Sequence, residues 1–110
     1  MTEDVLARLA ETIHQRRSET AERSYTRQLL EAGPEKCARK LGEEAVETII
    51  AGTSQGDKEL TSEAADLIYH LIVLLEARGV AWSDVTAELQ RRMGTSGLAE
   101  KASRGGGLTS

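Results

Sequence analysis

The sequence predicts an all-α fold, a bundle of four to five helices. Apolar residues recur at helical spacing along most of the chain, and nothing alternates with a period of two for more than a few residues. Proline occurs once, at position 34. Aromatic residues make up 3% of the chain and phenylalanine is absent, so the core must come from Leu, Ile, Val and Ala. Such side chains pack closely on helices but supply limited area in a chain this short.

Val5, Leu6, Leu9 and Ile13 define a first helix over about residues 4–17. The polar stretch 18–24 reads as a connector, and a short helix follows over 25–32. Gly33-Pro34 ends that helix and starts the next, because proline fits the first helical position. The third helix runs to about Gly52, with Leu41, Ala45, Val46, Ile49 and Ile50 on its apolar side. Residues 54–57 read as a turn, with Asp57 or Thr61 as the cap of a fourth helix that ends near Gly79. A last helix is expected from Ser83 or Asp84 to Gly94, with Trp82 just before it as a hydrophobic staple. Residues 1–104 then form one domain, and 105–110 form a flexible Gly-rich tail.

The segment 67–75 is apolar on almost every side, and a helix of that kind must be enclosed by neighbours. Four short companions can hardly surround it while leaving Asp66 at a site. A homodimer packed across it is the expectation, against the alternative of a central helix in a monomeric bundle.

Composition excludes several classes. A net charge of −4, with no basic stripe interleaved with aromatics, argues against nucleic-acid binding. Cys37 is the only cysteine, so the chain forms no internal disulfide and no cysteine-based zinc site. The acidic N-terminus lacks a signal-peptide profile, and the apolar run is too short to span a bilayer. The expectation is a cytoplasmic protein with no membrane partner.

Two acidic clusters carry the chemistry, Glu43-Glu44-x-x-Glu47 and Glu63-x-x-Asp66. Glu43 and Glu44 flank Glu47 on one helical face, and Glu63 shares a face with Asp66 on the next helix. Two carboxylates ~5 Å apart at an effective dielectric of ~20 repel by roughly 3 kcal/mol, so facing clusters persist when a cation offsets the repulsion. Oxygen-only ligands suit Mg²⁺ or Mn²⁺. Acidic helix faces are more often merely solvated. Asp66 borders the most apolar segment, however, and is expected to be partly buried, which favours a metal site. Lys36 and Lys40 lie one turn apart and lead into the first cluster, where they suit a polyphosphate or form a plain salt-bridge face. Lys101 and Arg104 follow small residues in a stretch that is either a frayed end or a phosphate-holding loop. His70 reads as a hydrogen-bonded helix residue, His14 as a surface residue and Cys37 as a packing residue.

The chain resembles the phosphoribosyl-ATP pyrophosphatase family from about Val5 to Arg104. The resemblance rests on Ser24-Tyr25-Thr26, the run from Gly33 to Glu47, Ser62-Glu63-Ala64-Ala65-Asp66-Leu67-Ile68-Tyr69-His70, and Ser96-Gly97-Leu98-Ala99-Glu100-Lys101. The carboxylate elements alone indicate only the wider all-helical nucleotide pyrophosphohydrolase superfamily of MazG-like enzymes and dimeric dUTPases. The flanking segments narrow it to the branch in histidine biosynthesis. The resemblance implies Mg²⁺-dependent hydrolysis of the small-molecule substrate phosphoribosyl-ATP between the α and β phosphates, giving phosphoribosyl-AMP and pyrophosphate. It implies metal ligation by Glu44, Glu47, Glu63 and Asp66, with Glu43 or Glu47 acting on the water. Lys36, Lys40, Lys101 and Arg104 would hold phosphates, and the fold would be an all-α dimer. A general nucleoside triphosphate pyrophosphohydrolase and a non-catalytic helical dimerisation module are the competing readings.

Overall fold

The computed structural model describes residues 4–94, and all regular structure among them is helical. Helix α1 spans Val5–Gln15 and runs into a 3₁₀ turn over Arg16–Ser18; α2 spans Tyr25–Ala32, α3 Pro34–Ser54, α4 Asp57–Ala77 and α5 Trp82–Met93. The first four helices form one compact unit ending at Val80, and α5 belongs to a second unit beginning at Ala81. No helix of the described residues is long and apolar enough to cross a membrane.

Local chemistry sets most helix ends. Asp4 caps α1, its Oδ1 accepting from the amides of Leu6 and Ala7 at 3.1 Å each. Ser24 caps α2 through the amide of Arg27. Gly33, at φ 100°, breaks α2 from α3 by a backbone turn that a Cβ would strain, and Pro34 then opens α3. Gly79, at φ 72°, closes α4: its amide donates to the Glu76 carbonyl and that of Val80 to the Leu75 carbonyl, the pairing of a Schellman motif.

Two caps differ from expectation. The N-cap of α4 is Gly56, with no side-chain capping bond, so Asp57 is the first helical residue and Thr61 lies inside the helix. Asp57 and Glu59 instead place negative charge on the first turn, where the helix dipole favours it. Trp82 is the first residue of α5, behind Ala81, and so does not occupy a staple position. Within α5, Glu88 accepts from Arg91 at 2.7 Å and Arg92 at 2.9 Å, and these hydrogen bonds hold its carboxyl down to about 2.

Helix α4 is the centre of the first unit, contacted by α1, α2 and most extensively α3. The buried apolar set is Ile13 of α1, Leu29 of α2, Cys37 and Ala51 of α3, and Ile72 and Val73 of α4. Cys37 is a packing residue whose thiol donates to the Leu29 carbonyl, and burial pushes its pKa up. Of the apolar run in α4, Leu67, Ile68, Leu71, Leu74 and Leu75 are only half-buried. Among the described residues this helix is therefore not fully enclosed.

Glu76 ties α4 to the end of α1. It accepts from His14 Nδ1 at 2.9 Å and from Arg17 Nε, while an Arg17 guanidinium nitrogen donates to the Glu76 carbonyl. His14 is exposed, as expected, but is not idle. Burial pushes the Glu76 carboxyl up, yet the hydrogen bonds from Arg17 and His14 outweigh it and hold the pKa below the ordinary 4.5. A depressed carboxylate contributes its stability in full above the unfolded-state value and loses it as pH falls through the folded value. Charged hydrogen bonds count for about 1.5–3 kcal/mol when sealed, and solvent at Arg17 and His14 reduces this to about 1 kcal/mol. Glu76→Ala is expected to lower the melting temperature at pH 7 by about 4–8 °C. The deficit should vanish in melts recorded well below pH 4.5.

Candidate metal centre and active site

Helices α3 and α4 form a hairpin joined through Gln55 and Gly56. Glu44 precedes Gln55 by as many residues as Asp66 follows it, so antiparallel packing brings the two acidic clusters level. Thr48, one turn after Glu44, fastens the helices there: its Oγ1 lies 2.8 Å from the Glu44 carbonyl and 3.1 Å from the Glu63 carbonyl across the hairpin.

One oxygen from each of Glu44, Glu63 and Asp66 lies within 4.8 Å of the other two. Glu44 and Glu63 are half-buried. Oε1 of Glu44 and Oε1 of Glu63 are sealed from solvent, and neither has a hydrogen-bond partner among the described residues. A buried carboxylate oxygen without a partner is costly, and either a proton or a cation relieves it. The Glu63 carboxyl is pushed above its ordinary 4.5 by burial, then by a hydrogen bond with Glu47 and by the charges of Glu47, Asp66 and Glu44. An all-oxygen donor set with two orphaned oxygens fits a hard divalent cation, Mg²⁺ or Mn²⁺.

The other expected residues are placed unevenly. Glu47 borders the trio through its contact with Glu63. Glu43 turns away to Lys40, Nζ to Oε1 at 3.1 Å. That hydrogen bond raises the Lys40 pKa, and nearby Tyr25 and Glu44 add to it. Asp66 is exposed, not partly buried as expected, because it sits at the rim of the hairpin while the apolar run that follows turns inward. Lys36 is exposed on the first turn of α3. With Tyr25, Gln28, Leu29, Ala32 and Lys40 it lines a hollow of about 350 Å³ between α2 and α3. Lys101 and Arg104 lie outside the described residues.

A polar layer backs the cluster. His70 is buried: its Nδ1 donates to the Asp66 carbonyl at 3.0 Å, the hydrogen bond within the helix that was expected, while its Nε2 is sealed and has no partner among the described residues. Its ring meets Tyr69 edge-on at 4.9 Å and Tyr25 at 6.3 Å. The Tyr69 hydroxyl bonds Thr26 Oγ1 on α2, and burial raises the Tyr69 pKa. Sequence reasoning overlooked Thr48, Gln28 and the Thr26–Tyr69 bond. Thr48 had a usable signal, a hydroxyl four residues after an acidic residue of the cluster on the same helix face.

The family model described as phosphoribosyl-ATP pyrophosphohydrolase matches residues 6–93. A phosphoribosyl-ATP pyrophosphatase of Dinoroseobacter shibae is 57% identical over 91% of this chain and 98% of its own length. Those of Rhodobacter capsulatus and Paracoccus denitrificans are 55% and 58% identical, over 91% and 90% of this chain and 97% and 92% of theirs. The match covers every carboxylate of both clusters.

Proposed function

We infer the reaction from one premise: the chain belongs to the phosphoribosyl-ATP pyrophosphohydrolase family. It is a hydrolase that releases pyrophosphate from phosphoribosyl-ATP, a step of histidine biosynthesis. On our reading the bond broken is that between the α and β phosphates, leaving phosphoribosyl-AMP. The observation that carries the chemistry is the convergence of Glu44, Glu63 and Asp66 from two helices, with two sealed and unpartnered oxygens among them.

These three residues, joined by Glu47, would hold Mg²⁺, with Mn²⁺ as a substitute. The ion, when bound, neutralises triphosphate charge and makes the phosphorus more electrophilic. The protein supplies the rest. The hairpin fixes the carboxylates before substrate arrives, so no ordering is needed during the reaction. Glu47, exposed beside the cluster, takes the proton of the attacking water at its carboxylate. Glu43 holds Lys40 in place. Lys36 and Lys40 bring positive charge to the substrate, and we assign Lys101 and Arg104 the same role. The functional domain is residues 1–104, acting in the cytoplasm. The products, phosphoribosyl-AMP and pyrophosphate rather than a diphosphate and orthophosphate, test the bond broken. Hydrolysis in heavy-oxygen water tests the point of attack: label in phosphoribosyl-AMP and none in pyrophosphate is expected, and the reverse would place attack at the β phosphorus.

The enzyme acts as a homodimer on this reading. On α3, Val46, Ile49 and Ile50 are 54%, 63% and 46% exposed on one helical face, and the apolar run of α4 is only half-covered. Apolar faces of this kind mark association surfaces. Sedimentation of the wild type should give a dimer, and Ile49→Glu should shift it toward monomer; a wild-type monomer at micromolar concentration would remove this part of the proposal.

A further inference from the structure

We propose that the hollow lined by Tyr25, Gln28, Leu29, Ala32, Lys36 and Lys40 is a second anion subsite, which receives the phosphate monoester of the substrate's N1-linked ribose. This rests on the reading of the substrate given above. Phosphoribosyl-ATP carries negative charge at two ends, a triphosphate on one ribose and a monoester on the other, at opposite sides of the purine. The carboxylate cluster suits only the end that arrives with a metal ion, because bare phosphate and bare carboxylates repel. The hollow has the opposite character. None of its lining side chains is acidic, and two are lysines. Tyr25 adds a hydroxyl for sugar hydroxyls and Gln28 an amide, whose Nε2 is anchored to the Ala21 carbonyl at 2.7 Å.

The fold concentrates positive potential there. Lys36 lies on the first turn of α3, a 21-residue helix whose N-terminus no side chain caps, so the positive end of its dipole adds to the two ammonium groups. Glu35 on the same turn offsets part of this. Lys36 makes no ion pair with any described residue, whereas Lys40 is engaged with Glu43 at its other side. Lys40 also feels the charge of Glu44, so it borders both the hollow and the carboxylate cluster. Along α3 the rise from Lys36 to Glu44 is about 12 Å, two helical turns, which separates the two anionic ends without any further element. At this separation the hollow selects phosphoribosyl-ATP over a free nucleoside triphosphate, which has nothing to place there.

The test is a kinetic comparison of wild type, Lys36→Ala and Lys36→Arg on phosphoribosyl-ATP and on ATP, with binding of ribose 5-phosphate measured by calorimetry in chelator. Lys36 is exposed, so the variants should fold, and circular dichroism checks this. Expected for Lys36→Ala is a KM for phosphoribosyl-ATP raised about tenfold or more, the loss of one charge-assisted hydrogen bond. The loss should fall on KM and not kcat, with partial recovery in Lys36→Arg. Metal-free binding of ribose 5-phosphate by the wild type should weaken in Lys36→Ala. Active wild type with an unshifted KM in Lys36→Ala, or ribose 5-phosphate binding indifferent to the substitution, would overturn the subsite and leave the reaction standing. A wild type inactive on phosphoribosyl-ATP would overturn the reaction itself, and the subsite with it.

Discussion

Alanine at Glu44 or Asp66 will lower pyrophosphate release from phosphoribosyl-ATP by about 10³-fold, since the metal's charge stabilisation is worth several kcal/mol and each factor of ten costs about 1.36 kcal/mol. The helical fold should survive. Asp66 is exposed and Glu44 half-buried, and neither makes a side-chain hydrogen bond to another described residue that its loss would orphan. Glu63→Gln should show the two effects with opposite sign. It removes a ligand charge and with it activity, yet it relieves the repulsion that pushes the Glu63 carboxyl up, so the metal-free protein should melt higher than the wild type. A solvated acidic face would show neither loss of activity nor gain of stability. Activity retained in a Glu44→Ala/Asp66→Ala double variant would refute the assignment.

The second large effect is on stability with metal. A ligand that binds only the folded state stabilises it by about 2.7 kcal/mol at a hundred times its dissociation constant. For a domain of this size that is a rise of about 10–20 °C in melting temperature. Saturating Mg²⁺ or Mn²⁺ at neutral pH should produce such a rise against chelator, and Glu44→Ala should abolish it. The pH dependence follows from the sign of the Glu63 shift. Its folded pKa lies above the ordinary 4.5, so between these values the folded state binds more protons, and metal-free stability falls as pH rises. Metal competes with that proton. The gain should therefore be full above the folded pKa of Glu63 and shrink as pH drops through it toward 4.5. Identical melts in chelator and in millimolar Mg²⁺ at neutral pH would contradict a preformed cluster.

Much of this was legible in the sequence, for identifiable reasons. Gly33-Pro34 marks a helix break because both residues act through the local backbone, and the break falls where expected. The pairing of the two acidic clusters was legible because spacing fixes which residues share a helix face, and a short turn forces adjacent helices to face each other. What was not legible depends on how far each helix is rotated about its axis. Asp66 looked inward because its neighbours are apolar, yet it lies on the rim. Glu43 and Glu44 are adjacent in sequence, but only Glu44 joins the cluster while Glu43 goes to Lys40. The cap of α4 was misplaced because Asp57 serves a helix terminus equally well from the first turn. Thr48 and the hollow beneath Tyr25 belong to contacts between helices, which no periodicity encodes.

The most direct measurement is pyrophosphate release by the wild-type chain from phosphoribosyl-ATP beside a panel of ordinary nucleoside triphosphates, each with Mg²⁺ and with chelator. Turnover of phosphoribosyl-ATP that requires Mg²⁺ and exceeds that of every other triphosphate is the predicted result. Preference for a free nucleoside triphosphate, or turnover indifferent to chelator, would contradict it.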